Sequence, residues 1–497
     1  MPFSRPLTIE RLALWILFIL LFAMAVRVPL DTDTWWHLRS GKAILDAGKI
    51  PHHDEFSHTL KGEDWIDQSW LAQVVLYGSY KLTGGNGDPA DTGTIGLALF
   101  TAILATAGMA LIYRMCAGNI YSKMFILVVG AATAAIFWTP RPQMFSFFLS
   151  TVVLYLLYLY KYKQVDRLWL IPVMMILWAN LHAGFAIGFI YLFGFLAGEA
   201  FGNLLDKADA DAVSWQRLQK VGLVTLVSIF ALSLNPYGPQ MIWYPFRTAG
   251  IQTLNLFIQE WRSPDFKMPQ TWPFLILLAA ILVFGSRTRH RLAWSDLALT
   301  SGTALLALWA SRNIAVFAVV ATPVLSRQVD AWLTERNWQL TPSRQPSASQ
   351  IRLNWVLLMV VLLGAVTKIG STLSTKEVKD NQEEFLPVET ANFLRENNPL
   401  GPMFNEYNWG GYFIFAVPDI PVFVDGRTDL YDDKFLKDYF RATLGTKDWY
   451  KPLNKYDIRL VVVDKTSALA TLLREKPDEW RIIHEDDLGV VFERIGE

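Results

Sequence analysis

Residues 11–39 read RLALWILFILLFAMAVRVPLDTDTWWHLR. An apolar run from Leu12 to Leu30 passes without interruption into Asp31-Thr32-Asp33-Thr34-Trp35-Trp36-His37-Leu38-Arg39. The run matches the roughly 20 residues that cross a bilayer as a helix. It exceeds a signal-peptide core and lacks a small-x-small cleavage site, so it is expected to remain as a first span or signal anchor, with Arg5 and Arg11 on its cytoplasmic side. Beyond it the chain becomes acidic and aromatic within nine residues.

The rest of the composition agrees with that reading. Of 497 residues, 52% are hydrophobic and 18% charged, with a mean hydropathy of +0.26. Soluble domains carry about 25% charged residues. Forty-five Lys and Arg balance forty-five Asp and Glu, so nothing in the net charge points to nucleic acid or an anionic surface. Twenty Trp and seventeen Tyr suit a protein with many lipid–water boundaries. The single Cys116 excludes an internal disulfide and a thiolate metal site.

Hydropathy predicts about eleven spans, near 11–30, 94–113, 121–138, 143–160, 167–180, 183–203, 220–234, 272–286, 294–310, 312–326 and 354–371. Lys161, Lys163, Arg167, Arg287, Arg289, Arg291, Arg327, Arg336, Arg344 and Arg352 collect in alternate loops, and Arg141 and Arg312 alone occupy the short turns on the other side. By the positive-inside bias, the basic loops and the N-terminus are cytoplasmic. A loop over 31–93 and a tail over 372–497 then fall outside. The loop holds two amphipathic segments, Trp35 to Leu45 and Trp65 to Leu82, expected to lie along the interface. The tail reads as a small α/β domain. A helix is expected over Phe385 to Asn397, and strands over Pro421 to Asp425, Ile458 to Asp464 and Gly489 to Glu493. Turns are expected at Gly410-Gly411 and Asp425-Gly426, and a flexible linker over Thr341 to Gln350. The fold class expected is an α-helical polytopic membrane protein over 1–371 with an extracytoplasmic α/β domain over 372–497.

Laid onto this topology, polar groups gather on the outer face: Asp31, Asp33, His37 and Arg39; Arg141; Asn180 and His182; Asn235-Pro236-Tyr237-Gly238; Glu260; and Arg312. Ionisable groups at membrane depth are costly, so each is a candidate for function. Each also has a plainer reading. Asp31 and Asp33 can cap a helix. Arg141 and Arg312 can anchor at the interface. Asn180 and His182 can join neighbouring helices by hydrogen bonds, and Asn235 to Gly238 can be a turn. His52-His53-Asp54 with His58 has metal-ligand residue types, although loop histidines are usually only solvated. The joint pattern suits group transfer. A carboxylate can deprotonate or align an incoming hydroxyl or amine, and arginine forks match the oxygens of a leaving phosphate.

These features resemble the GT-C superfamily of integral membrane glycosyltransferases, which includes protein O-mannosyltransferases, aminoarabinose transferases and oligosaccharyltransferases. The resemblance covers the whole architecture: a first span, a long outer loop opening on acidic residues, many further spans and an outer C-terminal domain. The stretch that matches the superfamily's acidic motif is Asp31 to His37; the opening and, in the tail, Asn408-Trp409-Gly410-Gly411-Tyr412 and Val424-Asp425-Gly426-Arg427-Thr428-Asp429-Leu430-Tyr431 look similar to bacterial GT-C-like proteins. Thr34 stands where the superfamily often has a second adjacent acid. The resemblance implies a polyprenyl-phosphate sugar as donor and a glycan, lipid or protein as acceptor. It places the base at Asp33, with Asp31 as second choice, and donor or sugar contacts among His37, Arg39, Arg141, Asn180, His182, Glu260 and Arg312. No metal ligands are assigned, and a divalent cation is left open as cofactor. It also implies a bacterial inner membrane. Asp425, Arg427 and Asp429 can line an acceptor site or form a structural ion pair.

Three functions compete. The first is sugar transfer outside the cytoplasm; the second is a scaffold that keeps the fold without activity. A transporter would place ionisable groups at mid-membrane in broken helices, and the centres of the spans read as nearly charge-free.

Overall fold

The computed structural model describes residues 6–205, 212–338 and 346–495. Arg5, Arg344 and residues 341–345 of the expected linker lie outside them. The end of that linker is helical: Ser347 caps the helix that begins at Ala348, and Gln350 returns the bond to the Ser347 amide.

The expected first span is helix α1 (Ile9–Ala25), with Thr8 as N-cap. The outer loop supplies α2 (Asp33–Ala47) and α3 (Trp70–Leu82). The chain continues through α4 (Gly93–Met115), α5 (Ile120–Ala134), α6 (Gln143–Tyr162), α7 (Leu170–Leu181), α8 (Phe185–Leu205) and α9 (Trp215–Ala231). Two short helices, α10 (Gln240–Ala249) and α11 (Gln252–Phe257), precede α12 (Trp272–Arg287), α13 (Trp294–Trp309), α14 (Ile314–Glu335) and α15 (Ala348–Thr372).

Among the described residues, seven helical segments are long and apolar enough to cross a membrane: α4, α5 continued to Phe137, α6, α8, α12 with the turn from Pro269, α14 with the turn from Ser311, and α15. Helices also form at the other four expected spans. These are α1, α7, α9 and α13, of 17, 12, 17 and 16 residues. At 1.5 Å per residue α1 and α9 rise about 26 Å, at the short end of what crosses a bilayer, whereas α7 rises only about 18 Å. Arg327 is not a loop residue: α14 runs nine residues past the expected end at 326, which carries Arg327 inside the bundle.

Helix α8 carries Gly194, Gly198 and Gly202 along one face. A Cβ on Gly198 would stand 2.4 Å from Ser295 Cα, so α8 and α13 meet backbone to backbone, as small residues allow in membrane bundles.

The tail contains α16 (Thr375–Phe385), α17 (Val388–Asn397), α18 (Gly410–Ala416), α19 (Asp433–Thr443), α20 (Lys451–Lys455) and α21 (Ala468–Arg474). With them are β1 (Met403–Asn405), β2 (Leu460–Asp464), β3 (Trp480–Glu485) and β4 (Gly489–Arg494), in spatial order β1-β2-β4-β3. β1 and β2 are parallel; the other pairs are antiparallel. β2 and β4 fall where strands were expected, and β1 and β3 were not anticipated.

Several local expectations are corrected. Pro421–Asp425 is not a strand. The Asn405 side chain accepts from the Phe423 amide at 2.7 Å and donates to the Val424 carbonyl at 2.9 Å, replacing a ladder; only Val422 bridges, to Ser57. Gly410-Gly411 opens α18 rather than a turn. Its bare backbone is needed there, because Cβ atoms would lie 2.0 Å from the Val424 carbonyl oxygen and 2.6 Å from that of Thr32. Phe385 to Asn397 is split between α16 and α17, since Pro387 has no amide to continue the first helix. The helix expected from Trp65 starts only at Trp70; the Trp65 amide instead donates to the His52 carbonyl.

Candidate active site

Helix α2 begins at the acidic stretch. The Asp33 amide donates to Asp31 Oδ1 at 3.0 Å, so Asp31 does cap this end. Three residues on, one turn along the same face, the Trp36 indole donates to Asp33 Oδ1 at 3.2 Å. The free oxygens of both acids turn to one cation. Arg141, in the turn before α6, places Nη1 3.2 Å from Asp31 Oδ2 and Nη2 2.9 Å from Asp33 Oδ2. Glu260 extends the chain, 3.7 Å from Arg141 and 3.5 Å from Arg312. Arg312 lies over the Trp261 ring at 4.2 Å. These five side chains keep 17–35% exposure, so the cluster is recessed but reachable.

The electrostatics separate Asp33 from Glu260. Burial pushes the Asp33 carboxyl up to about 6; Arg141 opposes the rise, and Asp31 and Glu260 add to it. Burial alone would also raise Glu260, but Arg312 and Arg141 outweigh it and hold this group below the ordinary glutamate value. Asp33 is therefore an acid whose proton can be taken up and released near neutrality, beside a carboxylate that stays charged.

His182 sits just past α7. Its Nδ1 faces the Ser146 hydroxyl at 2.7 Å and accepts from the Gly184 amide at 3.1 Å. Because the Trp178 indole donates to Ser146 Oγ, the hydroxyl proton is directed to Nδ1 and the ring proton is left on Nε2. Burial, with Arg312 and Arg141 nearby, depresses this histidine to about 3. The His37 ring lies tilted by 33° against Trp36 with centroids 3.6 Å apart, and its Nδ1 is 3.4 Å from Gln73 Nε2.

Two expected residues are not brought in. Asn180 accepts from Trp70 and donates to the Ile176 and Leu234 carbonyls, so its amide joins helices. Arg39 lies six residues after Asp33, about 240° round α2, and makes no hydrogen bond or ion pair among the described residues. Asn235 to Gly238 is a turn: Asn235 Oδ1 accepts from the Tyr237 amide, and Gly238 has φ +61°. The histidine-rich loop disperses. His53 faces Asp64, His52 packs on Tyr237, His58 meets the Met403 carbonyl, and Asp54 is buried against Arg427. No three His, Cys, Asp or Glu residues converge on a cation position among the described residues.

The tail contributes what the sequence did not indicate. Gly426 packs so tightly on the base candidate that a Cβ there would lie 1.8 Å from Asp33 Oδ1. Behind it Arg427, fully buried, bonds Asp425 through Nε at 2.8 Å and Nη2 at 2.7 Å, and Asp54 through Nη1 at 2.5 Å. Its guanidinium lies 5.1 Å and 4.9 Å from the Phe56 and Trp65 rings. Asp425 and Arg427 thus form the structural ion pair, and that pair seats Gly426. Tyr407, also from the tail, is buried, which raises its hydroxyl well above the usual tyrosine value; the negative charges of Asp33, Asp425 and Glu260 add to the rise and Arg141 opposes it.

No protein-family model and no curated protein matches the sequence. Solved structures do. The oligosaccharyltransferase AglB of Archaeoglobus fulgidus, in complex with an inhibitory peptide and a dolichol-phosphate, superposes with a TM-score of 0.59 at 12% identity; the match covers 91% of this chain and 69% of that one. ArnT of Cupriavidus metallidurans, bound to undecaprenyl phosphate, superposes with a TM-score of 0.51 at 12% identity, over 97% and 98% of the two chains. At such identities the likeness speaks to architecture, and it extends over nearly the whole length here: this multi-pass membrane chain has the fold of the GT-C glycosyltransferases.

Proposed function

We propose that the protein is a membrane glycosyltransferase that moves a sugar from a polyprenyl-phosphate donor to an acceptor outside the cytoplasm. One observation carries the reading: Asp33, with its raised carboxyl, is held on Arg141, and Glu260 links Arg141 to Arg312 in one recessed, partly exposed cluster. Acids of this kind serve as general bases near neutral pH. The dolichol-phosphate and undecaprenyl phosphate bound by structures of the same fold support the donor class.

In the reaction, Asp33 takes the proton of the acceptor hydroxyl or amine. The acceptor atom bonds to the anomeric carbon as the bond from that carbon to the phosphate oxygen breaks, and the polyprenyl phosphate leaves with the electron pair. Attack opposite the phosphate inverts the configuration. Arg141 already faces three carboxylates. Arg312 has only Glu260, at 3.5 Å, and is the less neutralised cation; we assign it the first phosphate contact, with Arg141 completing the clamp and holding Asp33 in line. We read 1–371 and 372–497 as membrane module and outer domain, with about eleven spans, four of them short, a cytoplasmic N-terminus and an extracytoplasmic tail in a bacterial inner membrane.

The test is sugar release from a panel of polyprenyl-phosphate sugars by purified protein in nanodiscs. Wild type should turn over at least one donor, and Asp33→Asn should reduce kcat by at least about 10²-fold while Asp31→Asn loses less. Absence of turnover with every donor, together with an Asp33→Asn protein that supports the cell as well as wild type, would sink the transferase in favour of the scaffold.

A further inference from the structure

At the far ends of the helices that carry the arginines lies a second buried ionic cluster. Lys161, near the end of α6, bonds Glu199 of α8 at 2.5 Å and Ser295 of α13 at 3.0 Å, with both charged side chains 2% exposed. The other Glu199 oxygen accepts from the Val213 amide at 2.8 Å. Next along α6, the Tyr162 hydroxyl donates to Asp296 of α13 at 3.1 Å, and Arg327 of α14 bonds the same carboxylate oxygen at 2.7 Å. Two cations meet two anions, so the cluster is neutral and offers no net charge to a ligand. The cavity it lines holds about 30 Å³, room for one water.

Fully burying the Lys161–Glu199 pair beside the mostly buried Asp296–Arg327 pair is expensive and seldom the most stabilising choice for a helix junction. What these four helices share is the site. Arg141 stands at the outer start of α6, His182 precedes α8, and Arg312 joins α13 to α14. The cluster ties α6 to α8 and α13, and α13 to α14, and the glycine contact of α8 on Ser295 lies beside it. A 20-residue helix is a rod of about 30 Å, so tilting freed at one end displaces the other by ångströms.

We infer that the Lys161–Glu199 and Asp296–Arg327 pairs are positioning residues that set, from the opposite end of the bundle, the spacing of the arginine turns that receive the donor phosphate. The donor part of this inference rests on the transferase reading; the spacing part does not.

The experiment uses full-length protein in nanodiscs. Lys161→Met/Glu199→Met removes both charges without orphaning one, and Asp296→Asn/Arg327→Met does the same for the second pair. Spin labels at Phe193→Cys on α8 and Leu308→Cys on α13, both lipid-exposed positions, report the gap between helices; Cys116 is buried. The expected result is a shifted or broadened label distance in the neutralised proteins, with donor KM raised about tenfold and kcat within about twofold of wild type, as for lost binding alone. The exchanged pair Lys161→Glu/Glu199→Lys should restore both. Unchanged distance and unchanged KM in folded variants overturn the inference. So does failure of both neutralised proteins to fold, since the cluster then supports the bundle as a whole. A changed distance in a protein whose wild type turns over no donor keeps the inference and removes the transferase.

Discussion

Replacing Gly426 by alanine adds one methyl group at the most constrained point of the site. The new carbon would stand 1.8 Å from Asp33 Oδ1 and 2.8 Å from its Cγ. Even a weak C–H···O contact needs about 3.3 Å, so one side must yield by about 1.5 Å. Asp33 cannot swing freely, being tied to the Trp36 indole at 3.2 Å and to Arg141 at 2.9 Å. The tail cannot easily retreat, because Arg427 is bolted to Asp425 and Asp54. Misplacing a reacting group by about 1 Å can cost on the order of 10²-fold in rate, whereas one overpacked methyl destabilises by about 1–3 kcal/mol. Gly426→Ala should therefore lose about 10²-fold in kcat, measured at saturating donor in nanodiscs, and still unfold cooperatively by fluorescence-detected melting. An alanine protein with wild-type kcat would show that Gly426 does not constrain the base.

The raised Asp33 carboxyl also sets a pH profile. If Asp33 is the proposed base it acts unprotonated, so kcat/KM should fall about tenfold per pH unit below about 6 and level off above it. In Arg141→Gln the opposing cation is gone, protonation is favoured further, and the acidic limb should move to higher pH; an unmoved limb would assign it to another group. Arg427→Met leaves Asp54 and Asp425 buried without their cation. Losses of about 3–5 kcal/mol are usual for one half of a buried pair, so the junction of tail and outer loop should open, read as faster proteolysis between α17 and α19 while the membrane helices stay protected.

The helical bundle was legible because lipid imposes a simple code: apolar runs such as 94–113 and 143–160 became α4 and α6 nearly residue for residue. The ion chain was legible for a related reason. Arg141, Arg312, Asp31, Asp33 and Glu260 stood out among the ionisable groups on one face, and these five converge. What stayed hidden depended on tertiary partners. Nothing near residue 426 announces a carboxylate from the start of the chain. Pro421–Asp425 has strand composition, but a single asparagine side chain at position 405 takes over its backbone bonds. Arg39 and Asn180 looked equivalent to their neighbours because linear proximity does not tell which side of a helix faces the cleft. Lys161 and Arg327 read as ordinary inner-loop cations, since span ends judged by hydropathy stop short of the true helix ends.

The contact between Arg427 and Asp54 spans 373 positions. As the chain leaves the ribosome, α2 and its acids are made early, yet Asp33 gains its Gly426 wall only when nearly nine-tenths of the polypeptide exists. A nascent or truncated chain ending after α15 would hold the arginines and the acids without the surface that fixes the base. On the proposed reading, competence arrives with the last portion synthesised, and an unfinished chain lacks the wall that fixes Asp33.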